Sequence, residues 1–180
     1  GSEMCIRDRS YIELVNKYIP DMKKYVSGTG SPMYYAARIA KEKYPDAKIV
    51  FVGPCVAKRK EAQRDEAVDF VMTFEEISSI FDAFEINLEI VQPYAMEFSS
   101  VREAHGFAQA GGVMGAVKAF LKMEADKINA IQVSDLNKKN IGTLRAYAKS
   151  GKAPGQFIEV MACEGGCITC LLYTSPSPRD

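Results

Sequence analysis

Phe51-Val52-Gly53-Pro54-Cys55-Val56-Ala57-Lys58-Arg59-Lys60-Glu61 is the stretch on which the fold turns. The apolar run Lys48-Ile49-Val50-Phe51-Val52 leads into a Gly-Pro turn with a thiol at its tip. A continuous apolar run of this kind suits a strand in a parallel sheet covered on both faces. The design recurs in Glu159-Val160-Met161-Ala162-Cys163-Glu164-Gly165-Gly166-Cys167. There Phe157 to Met161 reads as a strand that ends in a Gly-rich turn bearing two more thiols. Thiolates presented by tight Gly- or Pro-bearing turns hold iron–sulfur clusters or zinc.

Helices and strands alternate on either side of these segments. Tyr11, Ile12, Leu14, Val15, Tyr18 and Ile19 recur at helical spacing until Pro20. Ser31 reads as an N-cap with Pro32 in the first turn of a helix to about Lys43, with Tyr35, Ala36, Ile39 and Ala40 on its buried face. Lys58 to Glu66 is a polar connection to a second strand, Val68 to Met72. Thr73-Phe74-Glu75-Glu76 is a capping box opening a helix with Ile77, Ile80, Phe81 and Phe84 at core spacing. Leu88 to Val91 suits a short strand or an extended linker. Gly111-Gly112 precedes a helix to Met123 with Val113, Ala116, Val117, Phe120 and Leu121 in one stripe. Ile128 to Val133 is strand-like, and Ile141 to Lys149 is helical, with Leu144 and Ala148 inward and Gly151 as its stop. The alternation predicts an α/β fold in two lobes with parallel or mostly parallel sheets, 10–85 carrying Cys55 and 86–169 carrying Cys163 and Cys167. Ligands of such folds sit beyond the C-terminal strand ends, so the expected site is a cleft between the lobes.

The bulk composition narrows the function classes. In 180 residues, 23 basic side chains balance 23 acidic ones, which leaves no electrostatic footprint for nucleic acid or an anionic membrane. The 47% hydrophobic content argues for a folded globule, and no apolar run approaches the roughly 20 residues of a membrane span. Five cysteines, three of them crowded into 163–170, point to reduced thiols in a cytoplasmic compartment rather than a disulfide framework. Residues 1–9 and the Pro/Ser-rich 170–180 lack periodicity. Gly1-Ser2 reads as a cloning scar, and Met4 to Arg9 and Leu171 to Asp180 resemble translated sequencing-adapter DNA at the edges of metagenomic fragments. The expectation is a domain cut on both sides.

Pro-Cys-x-x-Lys-x-x-Glu at Pro54 to Glu61, followed by Glu-x-Met-x-Cys-x-x-Gly-Cys at Glu159 to Cys167, resembles the second and third cysteine motifs of [FeFe]-hydrogenases. Ser31-Pro32 and Phe107 with Gly111-Gly112-Val113-Met114 fall where that family has them. The Gly-Pro-Cys-x-Ala-Lys form is similar to its sensory branches. The resemblance implies a [4Fe–4S] cube on four cysteines, one of which bridges to a di-iron centre with CO, cyanide and azadithiolate ligands, together the H-cluster. The implied reaction is reversible reduction of protons to hydrogen, in an oxygen-sensitive cytoplasmic protein of an anaerobe. Implied partners are a ferredoxin-like electron-transfer protein and hydrogenase maturation proteins. By motif position Cys55 and Cys163 are cube ligands and Cys167 bridges to the di-iron centre. Lys58 would direct its ammonium at a bound cyanide. Met161 would wall the di-iron site, and Ser27 falls at a proton-relay serine.

The departures bear on activity. Counted back without a gap, the two cysteines of the family's first motif, Thr-Ser-Cys-Cys-Pro, fall on Arg7 and Asp8, and its Pro falls on Arg9. A cube ligand and the proton-donating cysteine are thus both replaced, and an inactive chain is expected. Gly53 replaces a frequent Met and Met33 a frequent Gln. Cys5 and Cys170 are the candidates for a substitute ligand. The alternatives are a non-catalytic iron–sulfur, redox or hydrogen-sensing module and a zinc-binding α/β domain. Apolar surface bared by the cut would favour homo-oligomers.

Overall fold

The computed structural model describes residues 9–94 and 102–169. Cys5, Arg7, Asp8, Cys170 and the two expected tails lie outside these residues. Two βαβ units form the framework. In the first, β1 (Val50–Val52) pairs in parallel with β2 (Phe70–Met72). In the second, β3 (Ala130–Ser134) pairs in parallel with β4 (Phe157–Met161). The α/β class and the parallel pairing are as the sequence predicts.

Helix α1 (Arg9–Tyr18) runs to Pro20, where a 3-10 turn, Pro20–Tyr25, takes over. Its partners are unexpected. Tyr11, Val15, Ile19 and Met22 share one buried core with Val133, Leu144, Ala148, Ile158 and Val160. The first helix of the expected 10–85 lobe therefore packs against the second βαβ unit. Helix periodicity shows that a face is apolar and says nothing of what covers it.

Helix α2 (Pro32–Lys43) starts as expected, with the Ser31 hydroxyl accepting the Tyr34 N–H. Its buried face differs. Met33 and Ala37 pack with Val68, Ile49 and Phe51, whereas Tyr35 is 48% and Ile39 59% exposed. Helix α3 (Ala57–Ala62) occupies the stretch expected to be a polar connection. Helix α4 (Phe74–Ala83) carries the complete capping box, with Thr73 and Glu76 each bonding the other's backbone N–H. No residue of α4 is fully buried, and Phe84 is 74% exposed. Leu88 to Val91 forms exposed turns, not a strand.

Helix α5 (Arg102–His105) is a single turn, and α6 (Gly112–Leu121) begins at the Gly-Gly pair. Val113 is buried as predicted, but Phe120, predicted in the same inward stripe, stands 86% exposed. Helix α7 (Lys138–Ser150) opens on Asn137 and stops at Gly151, whose φ of 65° is left-handed. Leu144 and Ala148 face inward as predicted. The first sheet is not covered on both faces, because Val50 and Phe70 remain 45% and 58% exposed.

Candidate metal centre

Cys55 lies three residues beyond the C-terminal end of β1 and two before α3. The turn is tied down at both ends. Gly53 donates its N–H to Met72 O at 3.0 Å, and Cys55 O accepts the Lys58 N–H at 3.2 Å. Helix α3 then turns Lys58 and Glu61 onto one side, three residues apart. The Lys58 ammonium donates to Glu61 Oε2 at 2.7 Å, with the two side chains 17% and 14% exposed. The second Glu61 oxygen accepts the Ser31 hydroxyl, so one carboxylate joins the Cys55 segment to the start of α2. Ser10 and Ala57 line the same groove, which places the first turn of α1 beside the start of α3.

The second turn follows β4. Met161, 4% exposed, pairs with Ser134 at the end of the ladder, and Cys163 comes two residues later. Ser134 holds this turn from below. Its hydroxyl donates to Cys163 O at 3.3 Å and accepts the Gly165 N–H at 3.0 Å. The 108–112 segment closes it from the side, with Ala110 N–H donating to Gly165 O at 3.0 Å and Gln109 bridged to Gly166. Gly166 has a φ of 99°, and a Cβ there would stand 2.5 Å from Ala108 O. Only glycine meets both demands.

Glu159 fixes that side wall. It is fully buried, and its two oxygens accept the Gly111 and Met114 N–H groups at 2.7 Å each. A carboxylate at the N-terminus of α6 satisfies donors that the helix leaves unpaired and opposes the positive end of its dipole. One residue thus links the strand that delivers Cys163 and Cys167 to the helix whose leading loop clamps them.

The sequence model of the family described as "Iron only hydrogenase large subunit, C-terminal domain" matches residues 9–170. This chain belongs to that family. It is 27% identical over 220 residues to Iron hydrogenase 1 of Clostridium pasteurianum, covering 94% of this chain and 37% of that protein. It is also 26% identical over 193 residues to the cytosolic Fe-S cluster assembly factor narfl of Danio rerio, covering 80% of this chain and 47% of that one. The chain therefore spans less than half the length of these curated relatives. Among solved structures, a variant of the [FeFe]-hydrogenase HydA1 of Chlamydomonas reinhardtii matches with a TM-score of 0.67 at 21% identity, over 99% of this chain and 62% of that one. An [FeFe]-hydrogenase solved in a study of oxygen inactivation matches with the same TM-score at 22% identity, over 93% and 60%. These structures share the fold.

Three of the sequence-predicted donors fall within the described residues. Cys55, Cys163 and Cys167 are half-buried at turn tips, and none is in a disulfide. Among the described residues no three Cys, His, Asp or Glu side chains close to the spacing of a single-ion site. Lys58 follows Cys55 on the first turn of α3, and Met161 stands at the base of the Cys163 turn. Ser27 forms a turn of its own, donating to Thr29 Oγ1 at 2.9 Å and accepting the Thr29 N–H at 3.2 Å.

Sequence reasoning overlooked Glu159 and Ser134 as supports and gave Glu61 no role. A signal existed for Glu159, since a carboxylate in the middle of the apolar run Phe157 to Met161 must find donors when the strand is buried. Ser134, at a strand end, has no such mark.

Proposed function

We propose that this chain is the H-cluster-binding region of an [FeFe]-hydrogenase-type protein, with Cys55 and Cys163 as cube ligands and Cys167 as the ligand shared with the di-iron centre. The observation that carries this reading is the pair of thiol-bearing turns, each beyond the C-terminal end of a parallel strand. That is where α/β folds place their ligands. The proposed site is the cleft between the 10–85 and 86–169 portions. When bound, the H-cluster supplies the redox chemistry of reversible proton reduction to hydrogen.

The residues of the chain would orient and support that group. Lys58 offers a fixed ammonium with N–H donors left over after Glu61 takes one. Met161 supplies a soft, polarizable wall, and Ser27 a hydroxyl able to pass a proton. With Arg7 and Asp8 at the positions of the first cysteine motif, a fourth thiolate and the proton-donating thiol are replaced. General acid catalysis contributes roughly 10²–10⁴-fold, so this chain is inferred to bind cluster without turning over hydrogen. Cys5 or Cys170 would have to complete the cube. A ferredoxin-like electron donor, maturation proteins and a cytoplasmic setting follow from the same reading. Among the described residues no helix is long and apolar enough to cross a membrane.

The second reading is a non-catalytic iron–sulfur or sensing module. The near-equal identity to the assembly factor, 26% beside 27%, favours it. Anaerobic loading with iron and sulfide, then with a synthetic di-iron mimic, separates the two. Infrared bands of CO and cyanide retained after desalting support the H-cluster reading, and a cube without them supports the second. Robust hydrogen evolution would contradict the inferred inactivity. One zinc per chain with no iron uptake would replace both readings with a zinc-binding domain.

A further inference from the structure

Glu61 stands at the centre of a three-residue polar cluster with Lys58 and Ser31, and the family reading leaves its carboxylate without a task. Its carboxylate accepts from the Lys58 ammonium at 2.7 Å and from the Ser31 hydroxyl. Ser31 is 4% exposed and is itself fixed, because its hydroxyl oxygen caps α2 by accepting the Tyr34 N–H at 3.2 Å. Lys58 and Glu61 are both largely withdrawn from water, unlike Lys60, which is exposed on the same short helix. A flexible lysine stem held at its tip by an anchored carboxylate loses most of its rotamer freedom. The anchor belongs to a different element, 30 residues earlier in the chain.

We propose that Glu61 is a positioning residue that fixes the direction of the Lys58 ammonium and ties the Cys55 turn to the N-terminus of α2. The role assigned to Lys58 under the H-cluster reading depends on this clamp, but the clamp itself is made only of side chains of the chain.

Acylation of the full-length chain by a water-soluble amine-reactive ester, followed lysine by lysine by mass spectrometry, tests it directly. Glu61→Gln should raise the Lys58 rate about three- to tenfold, the span expected for loss of a half-buried charge-assisted hydrogen bond. The Lys60 rate should stay unchanged as the internal reference. Ser31→Ala, which removes the anchor together with the α2 cap, should raise the Lys58 rate in the same direction by less, and it stands in if the Gln variant fails to fold. Unchanged Lys58 rates in folded variants overturn the proposal.

A second readout separates this clamp from the family reading. In the cluster-loaded chain, removing the Glu61 charge should raise the cluster's reduction potential, and Lys58→Met should lower it, since potential follows local net charge. Should Lys58→Met leave the potential in place, the cofactor role of Lys58 fails while the acylation result still decides the clamp.

Discussion

Asp69 accepts the Ile49 N–H at 2.8 Å and the Lys48 ammonium at 2.9 Å, at the point where β1 meets β2. The backbone donor first, then Lys48 and nearby Lys41, hold its carboxyl down to about 2. An unfolded Asp titrates near ~3.9, so the folded state favours the ionised form. This contribution is complete above about pH 4 and disappears as pH falls towards 2. Urea unfolding of wild type and Asp69→Asn should therefore differ at pH 5, and the gap should shrink as pH falls through 2. A gap of the same size at pH 5 and pH 2 would contradict this account of the first sheet. Glu159 also accepts backbone N–H groups, in a drier setting. Glu159→Gln places an amide donor against one of two backbone donors, at a cost of about 1–3 kcal/mol. Thermal melting should report it as a lowered midpoint, together with weaker iron retention through the loosened Cys163 turn.

Element by element, local chemistry is legible throughout, whereas burial is legible for α7, where Leu144 and Ala148 face inward, and not for α2, α4 and α6. The Ser31-Pro32 start, the Thr73 capping box and the Gly151 stop all formed as the sequence predicts, because each is set by hydrogen bonds within a few residues. Thr73→Ala should accordingly cost about 1 kcal/mol in chemical denaturation, and no measurable loss would mean that α4 contributes nothing to the cooperative unit. The apolar faces of α2, α4 and α6 were misread, since Ile39, Phe84 and Phe120 carry the right spacing but face outward here. The two cysteine turns could be read directly, as a strand, a Gly or Pro and a thiol follow one another in sequence. Their supports could not, because Glu159 reaches residues 45 and 48 positions away and Glu61 reaches one 30 positions away. The Gly166 turn offers the sharpest test at this scale. Gly166→Ala forces a Cβ against Ala108 O at a left-handed φ. It should abolish cluster loading while leaving the Cys55 turn intact, as judged by Lys58 acylation.

At the scale of the whole molecule, each of the two small βαβ units has its own core, and the second takes in Tyr11 and Val15 of α1 with Ile19 and Met22 just beyond it. Val50, Val52 and Phe70 leave one face of the first sheet open, which is unusual for parallel strands. Self-association through this face is the expected consequence, and sedimentation should show a mass that rises with concentration. The central claim is that Cys55 and the Cys163–Cys167 pair serve one inorganic guest. Electron paramagnetic resonance of the anaerobically reconstituted, dithionite-reduced chain tests it most directly, with Cys55, Cys163 and Cys167 each replaced by Ser in turn. A [4Fe–4S] signal is expected in the unaltered chain, and Cys55→Ser, Cys163→Ser and Cys167→Ser should each abolish or alter it. A cluster whose signal and iron content ignore Cys55→Ser while depending on the other two would contradict it.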